Sequence, residues 1–287
     1  ADPQTEFNLF RTGKIDVTHN VPDDMVQVAK ESHTSQLRIA PSLALYYIAL
    51  DLTEPPLDSP KLRQALSMVV DREIITRLLG RGESPAFGIV PPGVAAYEPA
   101  QYAWASDDRS SQTATAKQLY EEAGYSPEQP LSLTLMYDTE GVHEKIALAI
   151  SAMWRDVLGI DVKLDKREWN YFLDSRDRRE DWDAMRFAWF GDYNSAKTFL
   201  DIFRSDSDQN LARYTNERFD TLMHAADQER DLESAAAVMQ EAESTVLSEY
   251  AVIPIYFFVS KHMVAESIGG FEQNVVDRHA SRWLYRQ

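Results

Sequence analysis

The chain has no cysteine among its 287 residues. Disulfide staples, thiolate zinc sites and cysteine nucleophiles are excluded together, and the absence fits an oxidising bacterial compartment as well as many cytosolic proteins. Basic residues are scarce: 29 Lys+Arg stand against 46 Asp+Glu, a formal net charge of −17. A nucleic-acid surface needs a basic stripe to displace counterions, and a headgroup-binding face needs clustered cations, so neither partner is expected. At long range such a field repels anions and tolerates cationic or zwitterionic ligands. No apolar run approaches the ~20 residues that cross a bilayer. The opening Ala1-Asp2-Pro3-Gln4-Thr5 lacks the charged-then-apolar pattern of a leader, so a mature or trimmed start is expected.

Catalytic grammar is also missing. His143-Glu144-Lys145-Ile146-Ala147 begins like a zinc-protease helix but has alanine where the second ligand belongs. The six histidines are scattered, with no pair at ligand spacing. Gly80-Arg81-Gly82-Glu83-Ser84-Pro85 follows a helix and has proline at the third glycine of a dinucleotide loop. There is no phosphate loop and no nucleophile elbow. Neither enzyme activity, nor a metal site, nor a cofactor is expected.

What the chain does contain is core material. Hydrophobic residues make up 44% and aromatics 11%, and the length suggests about two domains at ~150 residues each. Gly13-Lys14-Ile15-Asp16-Val17 reads as a turn into a strand, and Pro22 to Val26 starts a helix. Leu43 to Leu50 is a continuous apolar run, as in a strand buried on both faces. Ser59-Pro60 and Asp71 open two helices, the second closed by Gly80. Residues Gly80 to Gly93 read as irregular. From Ala116 to Leu164 helix and strand patterns alternate, with Gly124 and Gly159 as stops. A strand over Ala184–Trp189, helices opening at Asn216 and carrying Ala235 to Val246, and an aromatic strand Val252–Val259 follow. This rhythm predicts an α/β fold around a mixed sheet flanked by helices.

Two stretches are candidates for function. Acids cluster at Asp174, Asp177, Glu180, Asp181, Asp183 and Asp192, the raw material of a carboxylate-based glycoside hydrolase. Arg176, Arg178, Arg179 and Arg186 interleave with them, which favours a salt-bridged, solvated turn. The second stretch is Arg186-Phe187-Ala188-Trp189-Phe190-Gly191-Asp192-Tyr193-Asn194, where an apolar strand delivers a tryptophan, a glycine and then an aspartate. Gly191 lets another backbone approach closely. Asp192 can accept charge-assisted hydrogen bonds from an ammonium group. Arg186, six residues earlier, can meet a carboxylate further along the same groove. Spacing alone leaves open a simple Asp-capped turn.

The Trp189-x-x-Asp192-Tyr193-Asn194 strand end resembles that of periplasmic oligopeptide-binding proteins, the family 5 solute-binding components of ABC importers. Leu45-Tyr46-Tyr47-Ile48 up to Asp58, Val69 to Ile75, Tyr120 to Tyr125, Ser205 to Asn210 and Ile253 to Phe258 are similar in the same order. The resemblance implies a type II periplasmic-binding-protein lobe and a peptide bound as an added strand. It places the α-ammonium on Asp192 and the pairing strand at Trp189, Phe190 and Gly191. Arg176 and Arg186 match arginines near peptide C-termini, Tyr46 and Tyr47 match hinge-strand aromatics, and Asn194 completes the motif. Ala49 replaces an acidic pocket residue of some relatives.

Family members are longer and two-lobed. Residues 1–47 are therefore expected to be a remnant of the first lobe, 48–254 the C-terminal ligand-binding lobe, and 255–287 a return segment. A C-terminal fragment is expected, monomeric, whose partners through the full-length protein are a peptide and an inner-membrane permease. A glycoside hydrolase and the ligand-sensing domain of a regulator are the alternatives.

Overall fold

The structure is a computed structural model that describes residues 2–126 and 128–287; Ala1, in the opening segment discussed above, lies outside them. In chain order the elements are α1 (Pro3–Arg11), α2 (Val26–Ser32), β1 (Leu37–Leu50), α3 (Pro60–Val69), α4 (Arg72–Leu79), β2 (Ser84–Pro85), α5 (Arg109–Glu122), β3 (Ser132–Asp138) and α6 (His143–Leu158). There follow β4 (Asp161–Arg167), α7 (Trp169–Arg178), β5 (Ala184–Phe190), α8 (Lys197–Leu200), α9 (Glu217–Gln228), α10 (Leu232–Ser248), β6 (Val252–Met263), β7 (Ile268–Gly269) and β8 (Tyr285–Arg286).

Six strands form one mixed sheet in the order β2-β6-β1-β5-β3-β4. β1 is antiparallel to both β5 and β6, whereas β3 runs parallel to β4 and β5. The alternating helix–strand pattern thus yields the α/β architecture with helices against the sheet. Helix starts follow their caps: Asp71 and Asn216 accept from the amides of Ile74 and Phe219, both at 2.9 Å. Gly80 and Gly159 end their helices at φ of 67° and 74°, a left-handed backbone that a β-carbon would strain.

β1 and β6 make the longest contact in the fold, a ribbon whose register shifts between Pro41 and Leu45 and again between Tyr46 and Tyr47. Pro254 is tolerated inside β6 beside the second shift, where the regular ladder is interrupted. The ribbon joins two apolar clusters. The large core gathers the buried Leu43–Leu50 stretch of β1, the inner faces of α3, α5 and α6, and much of α9 and α10. A smaller cluster holds Phe7, Phe10, Val21, Val26, Ala29 and Met263 at the ribbon's other end.

Two expectations change. Among the described residues the Gly13–Val17 segment makes a single bridge, Val17 to Val264, because Val264 lies just past the end of β6 and offers no continuing ladder. The charged run is helical through Arg178, supported by an Asp174–Arg178 pair at 3.1 Å one turn apart. Beyond it Arg179 and Asp181, both at positive φ, turn the chain towards β5. The irregular Gly80–Gly93 passage is organised by buried Glu243 of α10, which accepts from the amides of Ile89, Val90 and Ala100 at 2.8–2.9 Å and from the Tyr97 hydroxyl at 2.6 Å. A distant helix thus satisfies loop amides that no local partner reaches.

Candidate functional site

β5 is held on one side only for most of its length. All seven of its residues pair with β1, from Ala44 opposite Phe190 to Leu50 opposite Ala184. On the other side β3 pairs with Ala184 and Met185 alone. Among the described residues, the edge from Arg186 to Phe190 has no strand partner. Gly191 donates its amide to Leu43 O at 2.7 Å, on the β1 side. Main-chain groups alternate in direction along a strand, so Ala188 and Phe190 turn their N–H and C=O to the open edge.

Beyond β5 the chain is pinned by Thr198 of α8. Its hydroxyl accepts from the Trp189 indole at 3.4 Å and from the Asp192 amide at 3.3 Å. No sequence signal marked Thr198, which sits in a four-residue helix. The Asp192 side chain is exposed, and among the described residues no cation or N–H group pairs with its carboxylate. Phe190 is exposed too, and its ring lies 5.1 Å from that of Phe258 in β6. Both rings border a cleft of about 380 Å³ with Ser42, Arg81, Glu83 and Lys261.

Four candidate residues are engaged internally. At Gly191 a β-carbon would come within 3.0 Å of the Phe199 ring and 3.1 Å of Thr198, so the missing side chain serves packing against α8 rather than approach of a ligand. Asn194 accepts from the Ala95 amide at 3.0 Å and ties down the loop before α5. Arg186 is buried and meets a carboxylate, but an internal one, Asp138 at the end of β3. Its guanidinium also lies 4.8 Å from the Phe172 ring centre and 5.6 Å from that of Trp169. Arg176 is paired with Asp177 at 2.7 Å and lies over the Phe187 ring at 5.4 Å. The two arginines engage different partners and neither offers a free guanidinium.

Tyr46 and Tyr47 are buried in the sheet. Tyr46 stacks between Tyr256, at 4.9 Å, and His143, at 5.6 Å. Its hydroxyl and the His143 Nδ1 atom are buried without hydrogen-bond partners among the described residues, and burial pushes the His143 pKa down to about 4. Sequence spacing had set His143 aside as the start of a failed zinc motif. Its place beside the carboxyl end of β3, where ligands collect in α/β sheets, is the signal that could have flagged it.

The acidic cluster does not assemble a hydrolytic pair. Asp174, Asp177 and Asp181 are bridged to Arg178, Arg176 and Arg167 respectively. A cleft of about 690 Å³ lies near Asp183 at the other end of β5 and mixes Asp51, Asp165 and Asp181 with Arg167, Arg179 and Arg213.

Residues 1–210 match the family model described as bacterial extracellular solute-binding proteins, family 5, middle. The chain belongs to that family. The periplasmic oligopeptide-binding protein OppA of Escherichia coli K12 is 32% identical, covering 99% of this chain and 53% of OppA. The periplasmic murein peptide-binding protein MppA of the same strain is 34% identical over 96% of this chain and 52% of MppA. The chain therefore spans about half the length of these family 5 relatives. The unliganded open form of MppA superposes with a TM-score of 0.93 at 32% identity, over 99% of this chain and 56% of that one. Haemophilus influenzae OppA in complex with the peptide RPPGFSPFR gives 0.81 at 30% identity, over 99% and 56%. This likeness settles the fold as periplasmic-binding-protein-like. Among the described residues no helix is long and apolar enough to cross a membrane.

Proposed function

We propose that this family 5 chain carries the peptide-binding lobe of a periplasmic solute-binding protein serving an ABC importer. The observation that carries the reading is the Arg186–Phe190 edge, open among the described residues and ending at an Asp192 carboxylate that none of them pairs. A peptide laid along that edge pairs with the main chain of Ala188 and Phe190, and its α-ammonium reaches Asp192. Main-chain pairing makes affinity tolerant of sequence, and the charge-assisted bond fixes direction. The names of the relatives, binding proteins for oligopeptides and murein peptides, support this reading. Nothing in the family or in the salt-bridged acids supports a hydrolase.

Residues 48–254 form the binding lobe in this reading, while 1–47 and 255–287 belong with a second lobe. The separate apolar cluster at the far end of the β1–β6 ribbon supports that division. Capture proceeds by closure of two lobes, with the ligand stabilising the closed state through its better contacts there. The permease would be met by the whole protein, and a monomer suffices for the binding step. A chain holding one lobe makes only part of the contacts, so it binds peptide weakly.

Titration of this chain with millimolar tripeptide, followed by amide and indole NMR shifts, tests the reading. Shifts should appear at Ala188, Trp189, Phe190 and Asp192, and should fall sharply with an N-acetylated peptide or in Asp192→Asn. Shifts confined to other regions, or equal for free and acetylated peptide, would sink it.

A further inference from the structure

Seventeen residues apart in sequence, His262 of β6 and His279 of the C-terminal tail are brought to a ring separation of 5.1 Å. Between them stands Asp277. Its Oδ1 lies 2.6 Å from His262 Nε2 and 3.1 Å from His279 Nε2. One donor atom from each residue falls within 4.8 Å of the others. No short spacing in the sequence pairs these two histidines; the return of the tail to β6 brings them together.

The tautomer of His262 is fixed from behind. Its Nδ1 lies 3.0 Å from the Thr18 carbonyl, which only accepts, so Nδ1 carries hydrogen. Thr18 is itself clamped to β6: its amide donates to Met263 O at 3.0 Å and its hydroxyl accepts from the Met263 amide at 2.9 Å. A neutral His262 therefore turns the Nε2 lone pair towards a carboxylate oxygen. Two acceptors at that distance need a positive charge between them, either a proton or a metal ion. Histidine ligands of metals are oriented in this way, by donating the other ring nitrogen to a backbone carbonyl. Phe271 stacks on His279 at 4.0 Å and shields that side from water. His262 and His279 side chains are 5% and 14% exposed, and Asp277 is 31% exposed where it borders the 380 Å³ cleft.

We propose that His262, Asp277 and His279 form a site for a borderline divalent transition metal, Zn²⁺ being the cation that suits two imidazoles and a carboxylate. Zinc bonds of ~2.0–2.2 Å require each imidazole nitrogen to move away from Asp277 Oδ1 by less than about 1 Å. Three protein ligands leave a fourth tetrahedral position, on the side where Asp277 borders the cleft. The ion ties the C-terminal tail to β6 and, through Thr18, to the N-terminal segment. None of this depends on peptide binding.

The test is Zn²⁺ titration of the chelator-stripped chain by calorimetry, with metal content measured after dialysis. One equivalent should bind and raise Tm. His279→Ala and Asp277→Asn should each weaken binding at least ~10-fold, whereas His224→Ala, on an exposed face of α9, should leave it unchanged. His279 has Asp277 as its polar contact, so its removal spares the bond from His262 to Thr18. Co²⁺ added to the unaltered chain gives a second readout, the intense visible absorption of a tetrahedral site, which does not depend on variants folding. Absence of stoichiometric uptake, an octahedral Co²⁺ spectrum, or uptake indifferent to His279→Ala would overturn the proposal.

Discussion

Arg186 and Asp138 form a buried ion pair where β3 and β5 separate, the guanidinium being almost fully enclosed and the carboxylate entirely so. β3 stops pairing with β5 at Met185, and the next residue of β5 reaches back across the gap to the last residue of β3. The pair closes one end of the open edge and neutralises the cation that a ligand carboxylate would otherwise meet there.

Removing one partner should therefore cost much more than removing both. Asp138→Ala leaves an unpaired buried guanidinium and should lower the unfolding free energy by ~3–5 kcal/mol, whereas Asp138→Leu combined with Arg186→Met should recover most of the loss. Urea denaturation of the single and double variants decides this. Equal losses would mean that the pair is solvated in solution.

Proline separates the two edges of β5. Trp189 donates its amide towards β1, so Trp189→Pro should destabilise the sheet by ~3 kcal/mol. The Phe190 amide faces the open edge, and Phe190→Pro should stay within about 1 kcal/mol of the parent while abolishing peptide-induced NMR shifts. Phe190→Ala controls for the lost ring and should retain those shifts. A Phe190→Pro chain that still responds to peptide would show that main-chain pairing is not used.

Stability should fall in mild acid through His143. Its folded pKa is depressed by burial from 6.5 to about 4. Above about pH 6.5 both folded and unfolded chains hold the neutral ring, and its contribution is complete. Between 6.5 and about 4 the unfolded chain takes up the proton first, so stability declines as pH falls. Urea midpoints at pH 7, 5.5 and 4.5 should drop less in His143→Phe, which keeps the stacking on Tyr46 and removes the titration.

Glu243 provides a test of the loop it organises. Glu243→Gln keeps the volume but sets an NH₂ group against amides that donate, leaving at least one buried donor unmatched at about 1–3 kcal/mol. Hydrogen exchange should accelerate at Ile89, Val90 and Ala100 before global unfolding. Unchanged protection at those amides would mean that the loop is held by its apolar contacts.

Much of this was legible in the amino-acid order. The Ser59, Asp71 and Asn216 caps act through hydrogen bonds within three residues, and Gly80 and Gly159 act through their own backbone, so sequence carries them directly. The apolar run Leu43–Leu50 announced a strand covered on both faces, and the Trp189–Asn194 motif located the end of β5. Sequence did not reveal that α7 extends into the charged run, where helix-spaced ion pairs look like a solvated turn.

What the chain alone determined is local and periodic: where helices begin and stop, which strands are buried, and an acidic surface that disfavours polyanions. The tertiary structure decided which polar groups meet. Asp138 and Arg186 stand 48 positions apart, and the His262 and His279 rings meet only because the tail folds back on β6. Pairing across such distances depends on how strands register and where a sheet edge is left open. No propensity or period of the sequence encodes that, because it arises only when separate segments bury their apolar faces together.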